Sequence, residues 1–454
     1  MLTRLSLHNF KAWSLADVNF APITGIFGTN SSGKTSLLQF LLMLKLTKEA
    51  SDRGLALDLG GQSKLINLGT YKDAVHRHEE HRAISWSLDW ETGQNLTVAN
   101  PEASRQEVLF DSNEFGIAAE VQAPDGLIRT KYIDYHLGKD HFTLKPKASE
   151  KGGFDLSNAG PTQFKFKRTS GRVWQLPGPI KSYAFPDQAR TYFQNAGFLS
   201  DLESAYEAQM DNIHYLGPLR EPPKREYPWG RARPSDVGPR GEQAIEAILA
   251  ATVDHVKRNL KYKSKLIPFQ EMIAHWLREL GLIHKFRVEE IRAGSNLWQA
   301  RLQVVAKGPE VLLTDVGFGV SQILPVVTLL YYVAEGSTVI LEQPEIHLHP
   351  LAQAALADLI ISVALHRKIQ VILESHSEHL LLRLQRRIAE QQLKSTDAAL
   401  YFCKGEQGES RLEKLCVDMF GVIQNWPTNF FGDALGEATA AELARLKRKR
   451  DAKK

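Results

Sequence analysis

Four short stretches carry residue types whose spacing could do phosphate chemistry. Gly28-Thr29-Asn30-Ser31-Ser32-Gly33-Lys34-Thr35 fills every position of the pattern G-x-x-x-x-G-K-[ST]. Glycines at both ends let backbone N–H groups turn toward phosphate at the positive end of a helix. Gly28, Asn30, Ser31, Ser32, Gly33 and Ser36 are therefore the expected phosphate contacts. Lys34 would reach the β- and γ-phosphates of a nucleoside triphosphate, and the Thr35 hydroxyl would ligate Mg²⁺. Thr338-Val339-Ile340-Leu341-Glu342-Gln343-Pro344-Glu345 is an apolar run ending in carboxylates, which makes Glu342 the expected metal-side acid.

Ser375-His376-Ser377 follows a second apolar run, Ile369 to Leu373. A strand-end residue at the carboxyl edge of a parallel sheet lies where ligands bind, so His376 is a candidate γ-phosphate sensor. The fourth stretch is Gly317-Phe318-Gly319-Val320-Ser321 at the start of an apolar helix. Gly317, Gly319 and Ser321 would make a second anion-binding helix end. One chain has little use for two such ends on one triphosphate, so this one is expected to serve a nucleotide held by a neighbouring copy. The competing reading is a glycine turn opening a buried helix. Lys11, just after the first strand, either approaches phosphate or is a solvated turn lysine.

The elements that must position these residues alternate in kind. Ile23 to Phe27 reads as a buried strand and Ser36 to Leu44 as the helix after it, and Leu351 to Ala364 and Glu378 to about Gln392 read as helices following strands. This is an α/β pattern: a P-loop NTPase head. From 72 to 210 the chain turns to short strand-like runs separated by Gly, Pro, Asn and Asp, and is expected to be a β-rich insertion. His76, His78 and His81 lie within it, but their spacing is not H-E-x-x-H, and they read as a solvated polar loop. Residues 211–239 return to the head with a strand and a basic, proline-rich loop carrying Arg220, Lys224, Arg225, Arg231 and Arg233. Residues 240–284 should form a short helical arm, with the basic run Lys257, Arg258, Lys261, Lys263 and Lys265 between its helices. The head would then resume over 285–395 and end in an extension over 396–454 with a lysine- and arginine-rich tail.

Composition bounds the class. The chain has 454 residues, 43% of them hydrophobic, enough for two or three domains with a sizeable core. Net charge is +4, which permits contact with nucleic acid without requiring it. Cys403 and Cys416 are the two cysteines, too few for a disulfide framework or a zinc site, so a cytoplasmic setting is expected. The longest apolar run, Ile323 to Ala334, contains Pro325 and is too short to span a bilayer.

Taken together, the loop at 28–35, the stretch 315–322, Glu342-Gln343-Pro344-Glu345-Ile346-His347-Leu348-His349-Pro350 and Glu374-Ser375-His376-Ser377-Glu378-His379 resemble the ABC/SMC-like branch of AAA-annotated bacterial ATPases. The likeness is to stand-alone ATPases akin to the ATPase half of overcoming-lysogenization-defect (OLD) nucleases. Asn9-Phe10-Lys11, the segment Tyr215 to Arg220 and the ending Asp418 to Phe431, similar to a C-terminal domain of unknown function, share in it. The resemblance implies an ABC-type head that binds ATP and Mg²⁺ at a head-to-tail homodimer interface. Each phosphate loop would be completed by the Gly317–Ser321 signature of the other subunit. It also implies a role in phage defence beside a separately encoded effector. Most relatives place a glutamate general base after the magnesium acid, and here that position is Gln343, which cannot accept a proton. Hydrolysis is then expected to be slow, or Glu345 or His376 takes the role. The carboxylates after 395, among them Asp397, Glu406, Glu409, Glu413 and Asp418, are scattered among lysines, so no nuclease centre is expected there. The alternative function is an SMC-like ATPase of DNA repair or maintenance, in which the basic run at 257–265 and the basic tail touch DNA.

Overall fold

The computed structural model describes residues 1–62, 65–99, 107–148, 152–171, 175–260, 264–406, 408–427, 439–441, 443–445 and 448. Lys261, Lys263, the stretch 428–431 and most of the basic tail lie outside the described residues. The chain opens with the antiparallel pair β1 (Leu2–Phe10) and β2 (Trp13–Asn19), then runs through β3 (Ile23–Gly28) into α1 (Lys34–Glu49). A single helical turn, α2 (Tyr71–Ala74), precedes β4 (Ile84–Ala99), β5 (Val108–Gln122), β6 (Arg129–Leu137), β7 (Asp140–Pro146) and β8 (Phe154–Ala159). Helices α3 (Asp187–Tyr192) and α4 (Leu199–Asp211) lead to β9 (Ile213–Leu216), followed by the short β10 (Tyr227–Pro228). Then come α5 (Ala244–Val253), β11 (Lys257–Asn259), β12 (Leu266–Pro268), α6 (Phe269–Glu279), β13 (Lys285–Glu290), β14 (Leu297–Gln303) and β15 (Glu310–Leu312). The chain finishes with α7 (Phe318–Tyr332), β16 (Thr338–Glu342), α8 (Pro350–Arg367), β17 (Gln370–Glu374), α9 (Glu378–Ala389), β18 (Ala398–Glu406) and β19 (Glu409–Lys414).

The central sheet runs β19-β18-β3-β17-β16-β9, parallel except for β19 at its edge. Its middle strands are continuous apolar runs because both faces are covered. Alternate side chains go to opposite cores: Leu341 and Leu373 pack with α5 to α9, while Ile340 and Ile372 pack with α1 and the second sheet. Register sets the functional edge. Glu342 pairs level with Glu374, and Glu374 with Ile26, two residues before the loop begins, so three strand ends finish side by side.

The β-rich stretch is present, and its sheet, β2-β1-β4-β5-β6-β7-β8, takes in the N-terminal pair. The boundary placed at 71/72 therefore falls inside one sheet, because β1 pairs with β4 from Leu2 to His8. In β4 the first seven residues alternate between buried and part-exposed, the signature of a sheet with one covered face. Over 240–284 the chain forms α5, the antiparallel pair β11–β12 and α6, and Trp276 Nε1 donates to Tyr331 Oη of α7 at 2.8 Å. The basic run inside this segment is partly turned inward: Arg258 Nε donates to the Tyr331 carbonyl at 3.3 Å.

Candidate functional site

The phosphate loop is shaped by what surrounds it. Gly28 (φ +143°) lies against the Cys403 backbone of β18, and a Cβ there would collide with the Cys403 carbonyl. Gly33 (φ +90°) is left-handed and crowded by Ser410 and Trp13, so a side chain is excluded twice over. Trp13 Nε1 donates to the Gly33 carbonyl at 3.1 Å and Ser32 Oγ to the Thr29 carbonyl at 2.8 Å. The loop is thus held before any ligand arrives. Asn30 and Ser31 are exposed on its outer side, and the Ser36 amide donates to the Gly33 carbonyl at 3.1 Å.

Lys34 is buried, and its Nζ donates to the carbonyls of Gly28 at 3.1 Å and Thr29 at 2.7 Å. Burial lowers the pKa of its ammonium. Thr35 Oγ1 donates to Glu374 Oε2 at 2.7 Å, and Glu374 Oε1 stands 3.9 Å from Lys34 Nζ. Glu342 ends β16 with only 5% of its surface exposed and accepts the Tyr215 hydroxyl at 3.1 Å. Burial, reinforced by the neighbouring Glu374, pushes its carboxyl up to about 7. Burial also raises Glu374.

Gln343 turns the chain out of β16 in a left-handed conformation (φ 44°), its amide donating to the Glu374 carbonyl at 2.9 Å. Glu345 is buried, and its Oε1 accepts both Ser375 Oγ and the His376 amide at 2.8 Å. Its Oε2 has no partner among the described residues. His376 opens to solvent. Desolvation and the Lys34 ammonium lower its pKa, against a hydrogen bond with the Gly28 backbone. These contacts bring Glu342, Glu345 and His376 together with the loop at one sheet edge, with Gln343 beside them.

Lys11 is half-buried. Its Nζ donates to Gln39 Oε1 at 3.0 Å, on α1 beyond Lys34, and its carbonyl accepts from the His76 ring. His76 is correspondingly buried at 1% exposure, unlike the solvated loop residue its neighbourhood suggests. The signature stands apart. Gly317 caps α7 and is exposed, Gly319 lies near the His347 carbonyl, and Ser321 is buried with its hydroxyl donating to the Phe318 carbonyl at 2.9 Å. In this geometry the Ser321 hydroxyl serves its own helix. Of the two glycines, Gly317 is exposed and Gly319 half-buried.

Two participants went unassigned in the sequence. Glu374 was visible as an acid ending an apolar strand, the same signal that singled out Glu342. Arg220, grouped with a basic connector, is instead buried at 6% exposure, with Nη2 3.5 Å from the Glu342 carbonyl and Nε and Nη1 unpartnered. Burial lowers its guanidinium to about 10. Its neighbours in the loop are exposed and paired, Arg225 with Asp315 at 2.9 Å and Arg233 with Asp254 at 2.5 Å.

The donor set fits a magnesium nucleotide: hydroxyl and carboxylate oxygens beside a lysine and a row of backbone amides. Among the described residues no group of three or more His, Cys, Asp or Glu could hold a metal by itself. Phosphate oxygens would complete the coordination. No described helix is long and apolar enough to cross a membrane.

The chain is similar to a solved SMC head bound to the C-winged helix domain of ScpA, at 11% identity and TM-score 0.46, over 91% of this chain and 98% of that one. It is similar to the SMC head domain from Thermotoga maritima, at 11% identity and TM-score 0.41, over 92% and 99%. A third similar structure is an Smc head with an extended coiled coil bound to the C-terminal domain of ScpA derived from Pyrococcus furiosus, at 10% identity and TM-score 0.43, over 91% and 96%. None of the curated proteins matches the chain. Residues 393–440 match a family of unknown function, DUF3696. Residues 23–383, most of the chain and all of the site from the phosphate-loop strand to His376, match the family described as "AAA domain, putative AbiEii toxin, Type IV TA system", and the chain belongs to that family of AAA-type ATPases.

Proposed function

We propose that this chain is an ATP-binding, slowly hydrolysing ATPase that works as a dimerisation switch. It is the sensor or regulatory ATPase of a bacterial anti-phage defence system, acting in the cytoplasm with a separately encoded effector. One observation carries the reading. Lys34, Thr35, Glu342 and His376 meet at one sheet edge, while Gly317, exposed, and Gly319, half-buried, sit at a helix start with no bond to any of them seen among the described residues. Such a helix start favours an anion, and the triphosphate of a second copy is the anion this protein would offer. Phe318, 70% exposed beside the glycines, and Leu351, 75% exposed at the start of α8, give that face apolar surface to bury. ATP would close two copies to the extent that it binds the closed arrangement more tightly than the open one. The family description, which includes a toxin of a type IV toxin–antitoxin system, supports a role in defence.

Slow turnover follows from Gln343. A neutral amide cannot take the proton of an attacking water. Glu345, the next acid along the chain, is committed through Oε1 to Ser375 and His376. His376, its pKa lowered, is neutral at pH 7 and is the remaining candidate to receive that proton.

The test is phosphate release and oligomeric state with ATP and Mg²⁺. Wild type is expected to dimerise on ATP with slow turnover, and Gln343→Glu to raise turnover on the order of tenfold or more, within the range of a positioned general base. A wild-type chain that binds no ATP, or stays monomeric with ATP bound, sinks the reading.

A further inference from the structure

The site holds one carboxylate that its expected metal side leaves out. Glu374 ends β17 in register with Glu342 on one side and Ile26 of the phosphate-loop strand on the other. It therefore stands between the loop and the acid assigned to the metal. Only 3% of it is exposed. Both loop side chains with work to do on phosphate and metal point at it: Thr35 Oγ1 donates to Oε2 at 2.7 Å, and Lys34 Nζ lies 3.9 Å from Oε1.

The contrast with Glu345 is informative. Glu345 is fixed by a backbone amide and a serine hydroxyl, the bonding of a carboxylate that holds a turn in place. Among the described residues no backbone amide is seen on the Glu374 carboxylate. It meets one hydroxyl and one loosely placed ammonium, with a second buried carboxylate, Glu342, at its side. Two carboxylates side by side repel unless a cation lies between them. An independent mark of a ligand site is Arg220, more than nine-tenths buried next to Glu342 with two guanidinium nitrogens unpartnered. This corner holds more polar capacity than the protein uses by itself.

Resting on the nucleotide-binding reading above, we propose that Glu374 is a second magnesium-side carboxylate, which shares with Glu342 and Thr35 the divalent cation that accompanies the triphosphate. Carboxylate and hydroxyl oxygens are the hard donors such a cation takes. Two carboxylates and one hydroxyl leave the rest of its coordination to phosphate oxygens and water.

The experiment is calorimetric titration of the full chain with ATP, in Mg²⁺ and in EDTA, for wild type, Glu374→Gln and Glu345→Gln, with thermal unfolding run on each. Magnesium should tighten ATP binding to wild type. Glu374→Gln should lose about tenfold or more of that gain, the size expected for one lost metal-side interaction. Its affinity in EDTA should hold or rise, because a negative charge beside the phosphates is gone. Glu345→Gln should keep the magnesium gain. A Glu374→Gln chain that keeps the full gain, or that loses affinity equally in both conditions, overturns the assignment while leaving the ATPase reading intact. Wild type that binds no ATP in either condition overturns both.

Discussion

The two glycine-rich helix starts of this molecule are built alike and finished differently. At Gly33–Lys34 the loop is braced from within the chain: Lys34 holds two loop carbonyls, Thr35 reaches Glu374, and Trp13 bonds the Gly33 carbonyl. At Gly317–Phe318 the helix begins in the open, its one hydroxyl bonded back into its own first turn and its aromatic ring on the surface. The first is a loop held in shape by its own chain. The second leaves Gly317 and the Phe318 ring exposed, and the dimerisation switch proposed above would bury them.

The most severe way to break this contrast is Lys34→Ala. Losing the buried ammonium should cost about 100-fold or more in ATP affinity, roughly 2.7 kcal/mol, read by calorimetry. Phe318→Asp should do the reverse. ATP binding to the single chain should stay within about twofold while ATP-induced dimerisation, followed by light scattering, is lost, because a charge at the centre of an apolar contact is left unpaired. Loss of monomer affinity in that variant would merge the two helix starts into one site. A quieter test concerns the carboxylate pair alone. Glu342 has its folded pKa raised to about 7, so the folded state prefers it protonated. Its contribution to stability is intact below the unfolded value near 4.5 and is lost as pH rises through 7. In EDTA, Glu342→Gln should therefore melt higher than wild type at pH 8, by an amount on the order of 3 kcal/mol, and the gap should close toward pH 5. A gap that does not change with pH would show that Glu342 ionises freely and that the pair is not strained.

Much of the site was legible because its motifs are local. The pattern at 28–35 specifies a strand, a turn and a helix within one stretch, and acids at the ends of apolar strands point to one edge of a parallel sheet. The strand order that sets Glu374 between the loop and Glu342 was not legible, since pairing between residues more than 300 positions apart leaves no local trace. For the same reason Arg220 read as one more cation of a basic loop, when its guanidinium is buried against the Glu342 carbonyl. Lys11 shows a third kind of limit. Its motif was visible, but Gln39, the partner that takes its ammonium, belongs to another element.

By itself, then, the sequence determined that this chain holds a phosphate loop, an acid-ended strand and a second glycine helix start, because residue type and short spacing suffice for each. Only the tertiary structure decided that the β-rich stretch joins the N-terminal pair in one sheet, that Glu374 stands between the phosphate-loop strand and Glu342, and that Arg220 is buried against the Glu342 carbonyl. These depend on register and burial, which arise when distant segments exclude water together and which no single stretch encodes.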